Sequence, residues 1–285
     1  MKVATLLLLL AITGFPQTVQ TDATWGIARI SHRDWQYPLS SEYLYDATGQ
    51  GVRVYVVDTG VLITHPDFEG RASSGWSING KKFNATCNNH GTHVAGTVGS
   101  HTYGVAKQVT IVSVRVAPCQ GAVDPFDIID GLNWIATQPR GVVNLSFANS
   151  ILSGVVQNLV NRGFVVVVAA GNGNTDACNY WGNSPGALVV AATDNRDYRS
   201  ETSNFGSCVD IYAPGVNILS TWNNGSWGVL SGTSTAAPHV AGVASLYLEQ
   251  HPSASPQEVH DAVVNNATQG ILTDATPNIF LYSLF

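Results

Sequence analysis

Charge is scarce in this chain: Lys, Arg, Asp and Glu together supply 11% of its 285 residues. The basic residues are scattered and the formal net charge is -6, so no stripe exists to neutralise a phosphate backbone, and nucleic acid is not an expected partner. Neutral or cationic partners suit this balance better. Long apolar runs are missing too. The main one, Val3 to Ile12, is broken only by Thr5 and is too short to span a bilayer. With Lys2 before it and Thr13, Gly14 and Pro16 after it, the run fits the hydrophobic part of a secretory signal, assigned to residues 1–20. No later segment is apolar enough to cross a membrane, so none is expected to hold the chain there after signal removal. Cysteine is limited to Cys87, Cys119, Cys178 and Cys208, and none of them has the CxxC spacing of a zinc site. In a chain expected to leave the cell, four cysteines point to disulfides, with three pairings open.

What the chain has in quantity is glycine, 28 residues, and short β-branched runs. The glycine and the low charge suit one compact, loop-rich domain over 21–285, with no linker, repeat or low-complexity tract. The runs are Val52 to Asp58, Val109 to Val116, Val142 to Phe147, Phe164 to Ala170 and Ala187 to Thr193. They are apolar on both faces, the mark of strands buried in a parallel sheet under helices. Helix-like segments fall between and after them, at His90 to Gly99, Pro125 to Ala136, Ile151 to Arg162, Ser234 to Gln250 and Pro256 to Val264. Strand followed by helix, repeated, predicts a doubly wound α/β fold with a mostly parallel central sheet and helices on both faces. Glycosylation sequons stand at Asn84, Asn144, Asn224 and Asn266, Asn144 inside a strand-like run where it should be inaccessible.

In such sheets functional groups gather beyond the carboxyl ends of the strands. The first strand ends in Asp58, a carboxylate that is costly to bury without a partner. His90 opens the segment HGTHVAG; its imidazole can take and return a proton near neutral pH if one ring nitrogen is anchored. Ser234, in SGTSTAAPHVAG, has a hydroxyl too weakly acidic to attack an amide without a base, and it stands where a glycine turn enters a helix. Unpaired N–H groups there favour the negative charge that forms on a carbonyl oxygen during acyl transfer. Asn172, in AAGN, can offer its amide to the same oxygen. Taken alone, Ser234 is a helix cap and Asn172 a turn residue. His93 and His239 are rivals for the base, each with a plainer reading as a packed histidine.

VVDTG, HGTHVAGTV, AAGN and SGTSTAAPHVAG together resemble the Asp, His, Asn and Ser motifs of the subtilisin-like serine proteases, and the proteinase K branch in particular. The likeness runs from about Thr24 to the end of the chain. It implies an Asp58, His90 and Ser234 triad, an oxyanion site made by Asn172 and the Ser234 N–H, and peptide hydrolysis through an acyl-enzyme. It also implies an S1 pocket with Ser146, Phe147 and Ala148 on one side and Ala169, Ala170 and Gly171 on the other. The cysteine positions resemble those of secreted relatives and imply Cys87–Cys119 and Cys178–Cys208; Cys87 as a free thiol near His90 is the alternative. A calcium ion is implied at Asp210 and the carbonyls of Pro185 and Ala187, an oxygen set that suits a hard cation; otherwise Asp210 caps a turn. Protein and peptide substrates and a monomeric state are expected.

The chain also departs from the family pattern. Thr235 replaces a customary methionine beside the serine, and Met1 is the sole methionine, so activity should survive mild peroxide. Ala148 replaces a glycine and Phe147 a leucine, bulk that should favour small to medium apolar side chains in S1. GAVDP, Gly121 to Pro125, differs from the usual substrate-pairing strand. No room for a pro-segment precedes Thr24, which implies a longer precursor, unaided folding, or a pro-segment or inhibitor acting in trans. Two other readings compete. One is a catalytically silent binding protein of the same fold. The other is an α/β-hydrolase esterase, which the G-T-S-T-A context and the position of His90 before the serine disfavour.

Overall fold

The computed structural model describes residues 17–34, 40–78, 88–118, 123–148, 150–181 and 184–285. In chain order the strands are β1 (Thr18–Gln20), β2 (Tyr43–Tyr45), β3 (Arg53–Asp58), β4 (Ala72–Ser77), β5 (Thr110–Arg115), β6 (Val142–Leu145) and β7 (Val165–Ala169). They continue with β8 (Leu188–Thr193), β9 (Ile211–Pro214), β10 (Ile218–Thr221), β11 (Trp227–Leu230), β12 (Thr268–Gln269) and β13 (Ile279–Phe280). The helices are α1 (Trp25–Ile30), α2 (His90–Gly99), α3 (Pro125–Ile135), α4 (Ser153–Asn161), α5 (Cys178–Trp181), α6 (Thr233–Gln250) and α7 (Pro256–Asn265).

A nine-stranded sheet runs in the order β12-β13-β9-β8-β7-β6-β3-β5-β4, parallel throughout except for the β12–β13 pair. The five valine-rich runs form its centre. Each of β6, β7 and β8 is buried along its whole length, and β3 and β5 are exposed only at their first residue. Side chains on both faces are therefore covered, which is why these runs do not alternate. Helices α2 and α6 pack on each other, with α6 lying over β6 to β9; α3 and α4 pair separately, against β3, β4 and β7. This is the doubly wound architecture expected from the sequence.

From β3 the chain travels outward to β4, returns through β5, and then crosses to β6 on the other side. The order reverses between β3 and β6, and a crevice opens beyond the carboxyl ends of strands at such a point. Asp58 is the last residue of β3, and Ser146 lies just past the end of β6. Thr18–Gln20, inside the segment assigned to the signal, pair antiparallel with β2. Residues 1–16 of that segment lie outside the described residues, as do Cys87, Cys119 and Asn84. Among the described residues no helix is long and apolar enough to cross a membrane.

Candidate active site

Asp58 is fully buried, and its Oδ1 accepts the N–H of Thr59 at 2.6 Å. His90, the first residue of α2, turns its Nδ1 to both carboxylate oxygens, at 2.8 and 2.9 Å. The close fit of α2 against β3 depends on Gly91. Its N–H donates to Thr59 Oγ1 at 3.0 Å, and a Cβ there would press on the Gly60 carbonyl and lie 3.0 Å from Asp58 Oδ1. The carboxylate fixes the proton on Nδ1, so Nε2 is left as the acceptor. Burial alone would lower the His90 pKa; the negative charge of Asp58 and its hydrogen bonds outweigh that and leave it raised above 6.5.

Ser234 shares a hollow of about 520 Å³ with His90, Thr59, Asn88, Asn89, Asn172, Ser146, Phe147, Trp222 and Leu230. The serine is the second residue of α6, not its cap: the cap position falls on Gly232, at φ 145. That φ is one that residues with a side chain rarely adopt, and a Cβ on Gly232 would in addition lie 3.2 Å from Asn172 Nδ2. Among the described residues no hydrogen bond joins Ser234 Oγ to His90; such bonds are often long before a substrate arrives.

The orientation of Asn172 is set by Thr233, which sequence reasoning missed. Asn172 Oδ1 accepts the N–H of Thr233 at 2.9 Å and its hydroxyl at 3.1 Å, so Nδ2 is the end turned toward Ser234. Ser146 serves a role other than lining alone. Pro238 has no N–H to give the carbonyl four residues earlier, which is that of Ser234. The Ser146 hydroxyl donates to that carbonyl instead, at 3.1 Å, and is itself held by Asn144 Nδ2 at 2.9 Å. Thr235 is buried, and its hydroxyl bridges the carbonyls of Gly215 and Gly232 at 3.0 and 2.9 Å, contacts that a methionine lacks.

Of the remaining residues the resemblance assigns to S1, Phe147 lines the hollow, and Ala148 opposes Gly171, where a Cβ would come 3.2 Å from the alanine methyl. Ala169 and Ala170 are buried, their carbonyls accepting Trp181 Nε1 and Asn204 Nδ2 at 2.8 Å each. His93 and His239 are buried and bonded to the carbonyls of Ile218 and Thr235 at 2.8 and 2.9 Å. Burial pushes both down to about 4, and neither lines the hollow.

A second hollow, also about 520 Å³, is lined by Pro185, Ala187, Cys208, Asp210 and His260. Asp210 Oδ2 accepts the Val189 N–H at 2.8 Å, while Oδ1 faces His260 Nε2 at 3.4 Å. Pro185, Ala187 and Asp210, the residues the resemblance assigns to calcium, line this one hollow, and their oxygens would suit a hard cation; the imidazole is a donor calcium does not use. Among the described residues no group of three or more His, Cys, Asp or Glu could hold a metal. Cys178 and Cys208 are joined as a disulfide. Of the described sequons, Asn144 is buried, Asn266 Nδ2 donates to Leu284 O at 2.7 Å, and Asn224 stands exposed between β10 and β11.

The chain is 45% identical to an extracellular serine proteinase of Thermus sp. (strain Rt41A), over 94% of this chain and 68% of that protein. It is 44% identical to alkaline serine exoprotease A of Vibrio alginolyticus, over 93% and 51%. Against proteinase R of Parengyodontium album the identity is 43%, over 93% and 70%. The chain thus spans from about half to about two thirds of these relatives' length. A cold-adapted subtilisin-like serine proteinase of known crystal structure superposes with a TM-score of 0.89 at 41% identity, over 93% of this chain and 100% of that one. The subtilase profile matches residues 49–281, and with motifs, fold and relatives in agreement, the chain belongs to the subtilase family.

Proposed function

We propose that the chain is a secreted serine endopeptidase whose catalytic residues are Asp58, His90 and Ser234. The observation that carries this reading is the buried Asp58 carboxylate holding Nδ1 of an imidazole that opens onto the same hollow as Ser234. Ser234 Oγ attacks the scissile carbonyl while His90 Nε2 takes its proton; Asp58 steadies the imidazolium. The oxyanion receives hydrogen bonds from Asn172 Nδ2 and from the Ser234 N–H, one of the donors left without a partner in the first turn of α6. His90 then returns the proton to the leaving amine. Water, deprotonated by the same imidazole, releases the acid and restores the serine.

Phe147 lines the hollow, and its bulk, with Ala148 next to it in place of the customary glycine, supports a preference for small to medium apolar residues before the cleaved bond. Secretion is supported by the apolar run near the N-terminus and by the likeness to an extracellular proteinase of Thermus sp.. Asp210, Pro185 and Ala187 would hold calcium as a structural ion, with no part in the chemistry. The chain acts as a monomer on protein and peptide substrates, and a pro-segment or inhibitor in trans would occupy the same hollow.

The test is covalent labelling by a fluorophosphonate, together with hydrolysis of a peptide library. Labelling confined to Ser234 and lost in Ser234→Ala, with cleavage after small apolar residues, is the expected result. A folded protein that resists the label is the silent binding protein instead.

A further inference from the structure

Strands β10 and β11 form a hairpin separate from the main sheet. Its turn is Asn223-Asn224-Gly225: the Gly225 N–H donates to Trp222 O at 3.1 Å, the Trp222 N–H to Ser226 O at 2.8 Å, and Gly225 takes a φ of 83. That turn sets the register. With Trp222 bonded to Ser226, the hydrogen-bonded pairs that follow are Ser220 with Gly228 and Ile218 with Leu230, and the N–H and C=O groups of Trp227 and Val229 point away from β10. Among the described residues β11 has no second neighbour, so this is a free sheet edge. Trp227 and Val229 also share one face of the strand, 64% and 51% exposed. Exposed edges are commonly blunted by charge or proline, and residues 223–231 have neither.

The position of this edge says what pairs with it. The hairpin is fastened to α2, where the Ser220 and Thr221 hydroxyls donate to the carbonyls of His93 and Thr92 at 2.8 Å each. Helix α2 begins at His90, the residue that hands a proton to the leaving amine. β11 runs toward Ser234, and its last residue, Leu230, lines the hollow. A chain that departs from Ser234 on the His90 side and follows β11 runs against it, as antiparallel pairing requires.

We propose that the outer edge of β11 docks the leaving side of a polypeptide substrate as a third, antiparallel strand, favouring apolar side chains that pair with Trp227 and Val229. The inference rests on the catalytic reading above, which puts the leaving amine at His90. Main-chain bonds to Trp227 and Val229 supply affinity, and cross-strand contact with the indole and the valine supplies selectivity. Trp227 stands three residues behind Leu230, about 10 Å along a strand, so a leaving segment needs about three residues beyond the hollow to reach it. Short peptides gain nothing from this edge; extended protein does.

The test uses Ser234→Ala protein, which holds peptides without cleaving them, and fluorescence anisotropy of labelled peptides that share one acyl half. Their leaving halves have two residues, or eight ending in leucines or in serines. Expected is a dissociation constant about tenfold lower for the long leucine peptide than for the long serine one, a preference lost in the Trp227→Ser and Val229→Ser double variant. Matching melting temperatures establish that this variant is folded. A parent without the preference, or a variant that keeps it, overturns the proposal. So does self-association that the variant loses while long peptides bind no better than short ones, which gives the edge to a second copy of the chain. Fluorophosphonate labelling with Ser234 intact separates this from the catalytic reading: a chain that resists the label yet keeps the preference fails as an enzyme and still docks peptide on β11.

Discussion

At the scale of single residues, the site is a set of restraints on three reactive groups. In the proposed mechanism His90 must be neutral to accept the serine proton, and the Asp58 carboxylate raises its pKa above the ordinary 6.5. Activity should therefore fall as pH drops through a midpoint above 6.5, read as the acid limb of kcat/KM, which reports the free enzyme. Asp58→Asn removes the charge that outweighs burial, so the limb should move to lower pH while kcat falls by about four powers of ten, since the imidazole loses its fixed tautomer. A limb that stays in place would show that Asp58 does not set the His90 charge. Asn172 invites a second measurement. Its amide is locked by Thr233 with Nδ2 outward. Asn172→Ala should lower kcat by about two to three powers of ten with little change in KM, the magnitude found for the corresponding donor in the related subtilisin. A loss below tenfold would remove Asn172 from the oxyanion site. Much of this was legible in the chain itself: VVDTG, HGTHVAGTV, AAGN and SGTSTAAPHVAG mark Asp58, His90, Asn172 and Ser234. The Thr233 bonds were not, because 61 residues separate the partners and only folding brings them together.

At the scale of elements, the start of α6 is joined to the end of β6. Pro238 leaves the Ser234 carbonyl without its helical donor, and Ser146 fills that vacancy with Asn144 behind it. The backbone of Ser234, the proposed nucleophile, is thereby tied to the sheet. Ser146→Ala should cost about 1 to 3 kcal/mol of stability by leaving the part-buried Ser234 carbonyl and the buried Asn144 amide without their partner. It should also lower kcat more than KM, because the helix that carries Ser234 is freed to shift. Chemical denaturation and steady-state kinetics read the two effects, and Ser146→Thr, which keeps a hydroxyl, should recover most of both. An unchanged stability would mean that water replaces the bond without cost. The valine-rich strands β3, β5, β6, β7 and β8 could be read from the sequence because burial on both faces demands continuous apolar runs. β4 could not. Its sequence ASSGWS, among the described residues, lies at the sheet edge, pairs with β5 and is partly exposed, so nothing in it calls for β-branched residues. β12 and β13 are two residues each, fixed by pairing with distant chain rather than by their own composition.

At the scale of the whole molecule, distant parts of the chain are clamped around β8 and β9. Arg29, on α1, is buried and grips Asp197 with Nε and Nη2 at 2.9 and 3.0 Å, while its guanidinium stacks 4.4 Å from the Phe280 ring centre on β13. The N-terminal helix, the turn after β8 and the C-terminal strand thus meet at one cation. The same stretch is closed covalently, since Cys178 and Cys208 are 30 residues apart and β8 with that turn lies between them. Tying a loop of this length restricts the unfolded chain and contributes about 3 to 4 kcal/mol on chain-entropy grounds. Replacing both cysteines by serine should lower the free energy of unfolding by about that amount in urea. The hollow of Ser234 is lined by neither cysteine, so kcat below the transition should be nearly unchanged. The two readouts separate stability from chemistry. A loss of well under 1 kcal/mol would mean that residual structure already keeps residues 178 and 208 close in the unfolded ensemble, leaving the crosslink little entropy to remove.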